Sequence, residues 1–261
     1  GGADRREQLV PPGGSPLFPV VDLAVGGQAT CAFMADGVAR CWGGNQHRVV
    51  LGSGRASSAL PLAREAFGAP VEAMAWRGEV GCAVAGGALR CAVAGGGYTR
   101  VGGVRVRTPD RVVTPTLPAP ARSVAITQGA ACASLVDGRV ACVSPLAFRT
   151  PSPDAAPDAP PAFVIVPELT EVSRVVARGG LLCALSDTRP ARCWGDAPEW
   201  EMLPSQSATP VELPHLGPVR SLASGENHAC AVDLRGAVWC WGRGRAGQLG
   251  GGVFSERARP A

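Results

Sequence analysis

Apolar residues in this chain fall in short runs, separated by Gly, Asn and Asp, and the clearest example lies near the C-terminal end. There Val219 to Ala223 reads as a strand, Gly225-Glu226-Asn227 breaks it, and Ala229 to Leu234 and Ala237 to Trp241 read as two more. Runs this short, rich in Val, Leu and Trp and bounded by turn formers, favour strand over helix. A polar loop follows Gln248-Leu249-Gly250, and a Pro-containing run after it would supply a fourth strand. The same order opens the chain, with Val20 to Val25, Cys31 to Met34, Val38 to Trp42 and then Ala59-Leu60-Pro61-Leu62.

Cysteines mark the phase of the pattern. They come as Cys31 and Cys41, Cys82 and Cys91, Cys132 and Cys142, Cys183 and Cys193, and Cys230 and Cys240, with first members spaced 51, 50, 51 and 47 residues apart. Five repeats follow, at about 20–62, 71–113, 123–166, 172–213 and 219–261. A fixed period of this size marks a solenoid, propeller or array, and four strands per ~50 residues is the size of a propeller blade. The expected fold is all-β, one β-propeller domain over 1–261 built of four-stranded antiparallel blades. The segment 150–161, TPSPDAAPDAPP, is a low-complexity loop that cannot bury enough to order itself, and the repeat phase resumes after it.

Hairpin arithmetic places the two cysteines of each pair opposite each other. Cys31 and Cys41 centre on Asp36, Cys132 and Cys142 on Asp137, and Cys230 and Cys240 on Arg235. Each centre is followed by a glycine (Gly37, Gly138, Gly236), where a three-residue hairpin loop needs positive φ. Cys82 and Cys91 are one residue closer, and the Gly86-Gly87 pair between them suits a two-residue loop that restores the pairing. The fourth turn, Asp187-Thr188-Arg189 before Pro190, has no glycine and its type stays open. Opposed Cα atoms about 4.5–5.5 Å apart lie within reach of a disulfide, so five intra-blade bridges are expected. Two other readings are buried reduced thiols, since Cys is often buried for packing alone, and zinc. Zinc ligands cluster at short Cys spacing with histidines nearby, whereas His47, His215 and His228 are scattered.

Composition changes this picture little. With 261 residues, 46% hydrophobic and 18% charged, the chain can bury a core, and 35 Gly with 24 Pro suit many tight turns. The net charge is +4, every basic residue is Arg, and the arginines are spread rather than striped, which argues against a nucleic-acid surface. No apolar stretch approaches the ~20 residues of a membrane span. Disulfides imply an extracellular, periplasmic or cell-surface setting, with the export signal outside this stretch. Both ends fall at nearly the same phase of the repeat, so either two ends share a blade or the stretch is internal to a longer propeller; the second is expected.

Gly225-Glu226-Asn227-His228-Ala229-Cys230-Ala231-Val232, then Gly236-Ala237-Val238-Trp239-Cys240-Trp241-Gly242 and Gly247-Gln248-Leu249-Gly250, resembles the regulator of chromosome condensation repeat. Gly26-Gly27-Gln28-Ala29-Thr30-Cys31-Ala32-Phe33 with Cys41-Trp42-Gly43-Gly44-Asn45 is a second good match; the fourth repeat matches moderately, and the second and third weakly. The resemblance implies a β-propeller, typically of seven blades, so five copies suggest part of a larger one. Paired cysteines look like a bacterial, exported branch of the family.

Candidate chemistry is sparse. Gly242-Arg243-Gly244-Arg245-Ala246-Gly247 spells GxGxxG, but Gln248-Leu249-Gly250-Gly251-Gly252 cannot open the helix that a dinucleotide site needs. His228 is expected to make a structural hydrogen bond, because Thr30, Gly81, Ala131 and Leu182 take its place elsewhere. Asp36 and Asp137 are turn formers. Trp42, Trp194 and Trp241 recur at one phase and are expected to pack between blades. No catalytic, cofactor-binding or metal site is expected, and no cofactor. The expected function is a non-enzymatic, monomeric binding module whose loops meet a protein of unknown identity; the resemblance also allows an enzyme-inhibitor role. Two alternatives are guanine-nucleotide exchange on a small GTPase, as for the family's namesake, and a hydrolase or lyase with an acidic, His or metal cluster at the centre.

Overall fold

The computed structural model describes residues 20–26, 29–35, 39–43, 60–62, 70–77, 80–93, 98–101, 104–107, 111–144, 162–196, 203, 206–213, 215–224 and 228–250. Every regular element among them is a strand. The loop expected at 150–161 and the turn at Asp36-Gly37 lie outside the described residues.

Four four-stranded antiparallel sheets and one three-stranded sheet follow the repeats in order. The first holds β1 (Val20–Gly26), β2 (Ala29–Met34), β3 (Ala39–Gly43) and β4 (Leu60–Leu62). The second holds β5 (Val71–Arg77), β6 (Val80–Ala85), β7 (Ala88–Val93) and, as its outer strand, β10 (Arg111–Val113). Between β7 and β10 the chain adds a separate hairpin of β8 (Tyr98–Val101) and β9 (Val104–Arg107). The third sheet is β11 (Ala121–Ile126), β12 (Ala131–Leu135), β13 (Val140–Val143) and β14 (Val164–Ile165). The fourth is β15 (Arg174–Arg178), β16 (Gly180–Leu185), β17 (Arg192–Asp196) and β18 (Gln206–Glu212). The fifth is β19 (Val219–Ser224), β20 (His228–Asp233) and β21 (Val238–Gly242).

The chain divides into two compact units. One spans Gly1–Val124 and Val143–Phe163, the other Ala125–Cys142 and Val164–Ala261. In the second unit two cores alternate through the fourth sheet, as the period-2 pleat of β16 requires. Leu182 and Ala184 face Cys132, Val140 and Trp194, whereas Leu181, Cys183 and Leu185 face Leu222, Ala229, Ala231 and Trp241. A strand buried on both faces reads as a continuous apolar run, and GLLCAL is one. Trp194 and Trp241 therefore lie in packing between successive sheets, at 7% and 0% exposure. The side chain of Trp42 lies outside the described residues.

Candidate functional site

The feature that recurs in every repeat is the cysteine hairpin. The register sets Cys31 opposite Cys41, Cys82 opposite Cys91, Cys183 opposite Cys193 and Cys230 opposite Cys240. Four pairs are bonded, Cys82–Cys91, Cys132–Cys142, Cys183–Cys193 and Cys230–Cys240. Cys31 is also disulfide-bonded, and the side chain of Cys41 is outside the described residues. The bonded Cα atoms stand 4.0 or 4.1 Å apart, closer than the separation expected for an unbridged opposed pair.

Turn chemistry explains how these pairs meet. Gly86 and Gly87 both take positive φ (58° and 74°), the two-residue loop its Gly-Gly sequence favours. In the third sheet Leu135 N–H donates to the Arg139 carbonyl at 2.9 Å and Gly138 takes φ 84°. In the fifth, Asp233 N–H donates to the Ala237 carbonyl at 2.9 Å and Gly236 takes φ 87°. Acidic side chains brace both turns. Asp137 accepts from Arg139 through its main-chain N–H (3.0 Å), Nε (2.8 Å) and Nη2 (2.6 Å), which holds its carboxyl below the usual range. Asp233 accepts from Trp239 Nε1 at 3.1 Å and from the N–H groups of Ala237 and Arg235, and its pKa is lowered, the Trp239 bond being the main cause.

The glycine-free fourth turn is held by side chains. Ser186 Oγ accepts from the N–H groups of Thr188 and Arg189, both at 3.2 Å. Thr188 Oγ1 donates to Glu171 Oε2 at 2.5 Å, and Arg189 Nη2 donates to Glu171 Oε1 at 2.8 Å. Glu171, itself at φ 60°, has its pKa brought down to about 2, first by the Arg189 hydrogen bond and then by Thr188. Glu171 lies in the loop before β15, far in sequence from this turn, so no local motif announces the contact.

The Trp-Gly that follows the second cysteine also has a steric reason. Gly195 takes φ 106°, and a Cβ there would lie 2.6 Å from the Gly180 carbonyl oxygen. No helix opens at the GxGxxG segment: Gly247 N–H donates to the Gly244 carbonyl (2.9 Å) and Gly250 N–H to the Gly247 carbonyl (3.0 Å), giving two successive turns. His228 is half-buried opposite Gly242, and no hydrogen bond joins its imidazole to another described residue. Among the described residues no three of His, Cys, Asp and Glu gather closely enough to hold a metal ion. Among the described residues there is no helix long and apolar enough to cross a membrane.

One strand pair escaped the sequence reading. The β8–β9 hairpin pairs Tyr98 with Arg107 and Arg100 with Arg105. Its signal was present, two β-rich runs parted by Gly102-Gly103.

Residues 20–48 and 219–248 match the Regulator of chromosome condensation (RCC1) repeat. The match falls on the first and fifth repeats. No curated protein sequence matches it. Among solved structures, human WBSCR16 is similar over 93% of this chain and 66% of its own, at TM-score 0.62 and 17% identity. Yeast RCC1 (Prp20), solved with Kap60 bound, is similar over 93% of this chain and 74% of its own, at TM-score 0.51 and 14% identity. Prp20p from Saccharomyces cerevisiae, described with its binding properties to Gsp1p and histones, gives 0.51 and 16% over 93% and 76%. At such identities the likeness shows the fold. It is the β-propeller class, here with four four-stranded antiparallel sheets and a three-stranded fifth among the described residues.

Proposed function

We propose that this chain is a non-enzymatic protein-binding propeller that works in an oxidising compartment, at the cell surface or beyond it. One observation carries the reading. The cysteine hairpin is kept in every repeat, while the connection from third to fourth strand changes each time, spanning 44–59, 94–110, 144–163 and 197–205 in the first four repeats. A rigid scaffold that leaves one set of connections free to vary suits recognition. Two described parts of that edge are the β8–β9 hairpin and the paired turns at 243–250, where Arg243 is exposed. Intra-repeat disulfides support export, because such bonds persist outside reducing compartments.

Cross-linking of the oxidised protein on its source cell's exported fraction, followed by peptide mapping, tests this. Links from one protein partner to residues 98–107 or 243–250 are expected. Links confined to the opposite, hairpin-turn end at residues 86–87, 136–138 and 234–236 would contradict it. The second reading, nucleotide exchange on a small GTPase, draws on the fold shared with yeast Prp20, whose structure is described with binding to Gsp1p. Catalysed release of labelled GDP from a small GTPase by the reduced protein, lost on oxidation, would favour that reading.

A further inference from the structure

The arginines, spread along the chain as a whole, gather at one place. Residues 80–109 hold Arg90, Arg100, Arg105 and Arg107 and no Asp or Glu, so this stretch alone carries as much positive charge as the chain's net +4. Three of the four fall in the β8–β9 hairpin.

The strand register turns that concentration into a pattern. Tyr98 stands opposite Arg107 and Arg100 opposite Arg105, alternating with Thr99 opposite Val106 and Val101 opposite Val104. Opposed residues share a face and successive ones change face, so positions 98, 100, 105 and 107 lie on one face of the hairpin. That face is one Tyr and three Arg; the other is one Thr and three Val. Arg100 thus has an arginine as its cross-strand neighbour, and like charges directly opposite destabilise a strand pair. A two-stranded hairpin is marginal to begin with. Its arginines weaken it alone and strengthen it once carboxylates stand beside them.

The sheet edge says how carboxylates could arrive. Among the described residues β8 and β9 form a sheet of their own, each hydrogen-bonded along one side. The outer side of β9 can take a further extended segment through main-chain hydrogen bonds. Arg105 and Arg107, about 6.7 Å apart along β9, then match alternate residues of that segment, one strand spacing of about 4.8 Å away. Nucleic acid fits less well. Single strands are gripped by interleaved aromatics, and Tyr98 is the one aromatic residue between 80 and 109.

We infer that the β8–β9 hairpin recognises an extended acidic segment of a protein partner, with Asp or Glu at alternate positions, added as a third strand along β9. The inference rests on the binding role proposed above and names the chemistry of the partner at this hairpin.

Fluorescence anisotropy on the oxidised full chain tests it with three labelled probes: a short peptide alternating Glu and Thr, one of the same composition with its Glu in a single block, and an oligothymidine. The alternating peptide is expected to bind most tightly, and more weakly as salt rises. Arg105→Gln with Arg107→Gln should weaken it about tenfold, the worth of two ion pairs near a surface, and Arg122→Gln should leave it unchanged. Arg105→Glu with Arg107→Glu should lose the acidic peptide and gain one alternating Arg and Thr, a gain that misfolding cannot imitate. An alternating peptide that fails to bind, binds no better than the blocked one, or keeps its affinity in the Gln variant overturns the inference. So does tighter binding of oligothymidine, which would make the hairpin a nucleic-acid contact. With any of these, cross-links from a native protein partner to 98–107 would leave the binding role standing and strike only its acidic chemistry. Native links confined to the hairpin-turn end would overturn both.

Discussion

The hairpin turns at Gly138 and Gly236 are nearly the same object. Both close a three-residue loop, both put glycine at positive φ (84° and 87°), and both stand between bonded cysteines. Their surroundings differ. The Gly138 carbonyl accepts from Val172 and the Glu171 main chain presses against the glycine, whereas no described residue comes within 4 Å of a Cβ on Gly236. Local sequence makes the turn; a neighbouring repeat makes the junction. The two sites therefore separate what a blade does alone from what it does stacked.

The sharpest break in that comparison is the loss of a disulfide. Replacing both Cys183 and Cys193 with Ala should cost at least about 3 kcal/mol, the loop-closure value for so short a loop, with a cavity cost added because both are fully buried. Replacing Cys230 and Cys240 should cost about the closure value alone, because that seat is partly open. Equal losses in denaturant titrations would show that the junction adds nothing to the staple.

Next comes the inserted residue. Leu222→Ala should cost about 2–3 kcal/mol, against roughly 0.5 kcal/mol or less for the exposed Leu23→Ala. The glycines give a smaller contrast. Gly236→Ala should cost about 1–2 kcal/mol from its backbone conformation, and Gly138→Ala should exceed it because its new methyl meets the Glu171 main chain. Matching values would mean that the third and fourth sheets part easily.

Smallest is the charge on the fourth turn. Glu171 has a folded pKa of about 2, below its ordinary 4.5, so its contribution is present above pH 4.5 and fades as the pH falls towards 2. Carbon-detected titration should find that low value, and Arg189→Gln should raise it. A Glu171 that titrates normally would leave the glycine-free turn without its brace. Its exposure keeps the effect on global stability small.

The hairpins were legible because three signals agree in one short window: the cysteine spacing, the glycine at the loop's last position and the apolar runs on either side. The change from ten to nine residues at Cys82–Cys91, matched by Gly86-Gly87, shows that register can be computed from sequence when the turn chemistry is known. Less could be read where partners are distant. Nothing near Ser186 points to Glu171, and nothing in the sequence of β16 says which sheet Leu182 or Leu181 will face. The β8–β9 hairpin escapes for a different reason: the four-strand pattern of a repeat leaves no place for an extra strand pair, although Gly102-Gly103 marks its turn.

Peptide mapping of the never-reduced protein, alkylated under denaturing conditions, tests the central claim that every repeat is stapled across its own hairpin. The account predicts ten unlabelled cysteines in five links, each within one repeat, with Cys31–Cys41 among them. Labelled thiols, or a link joining cysteines of different repeats, would contradict it.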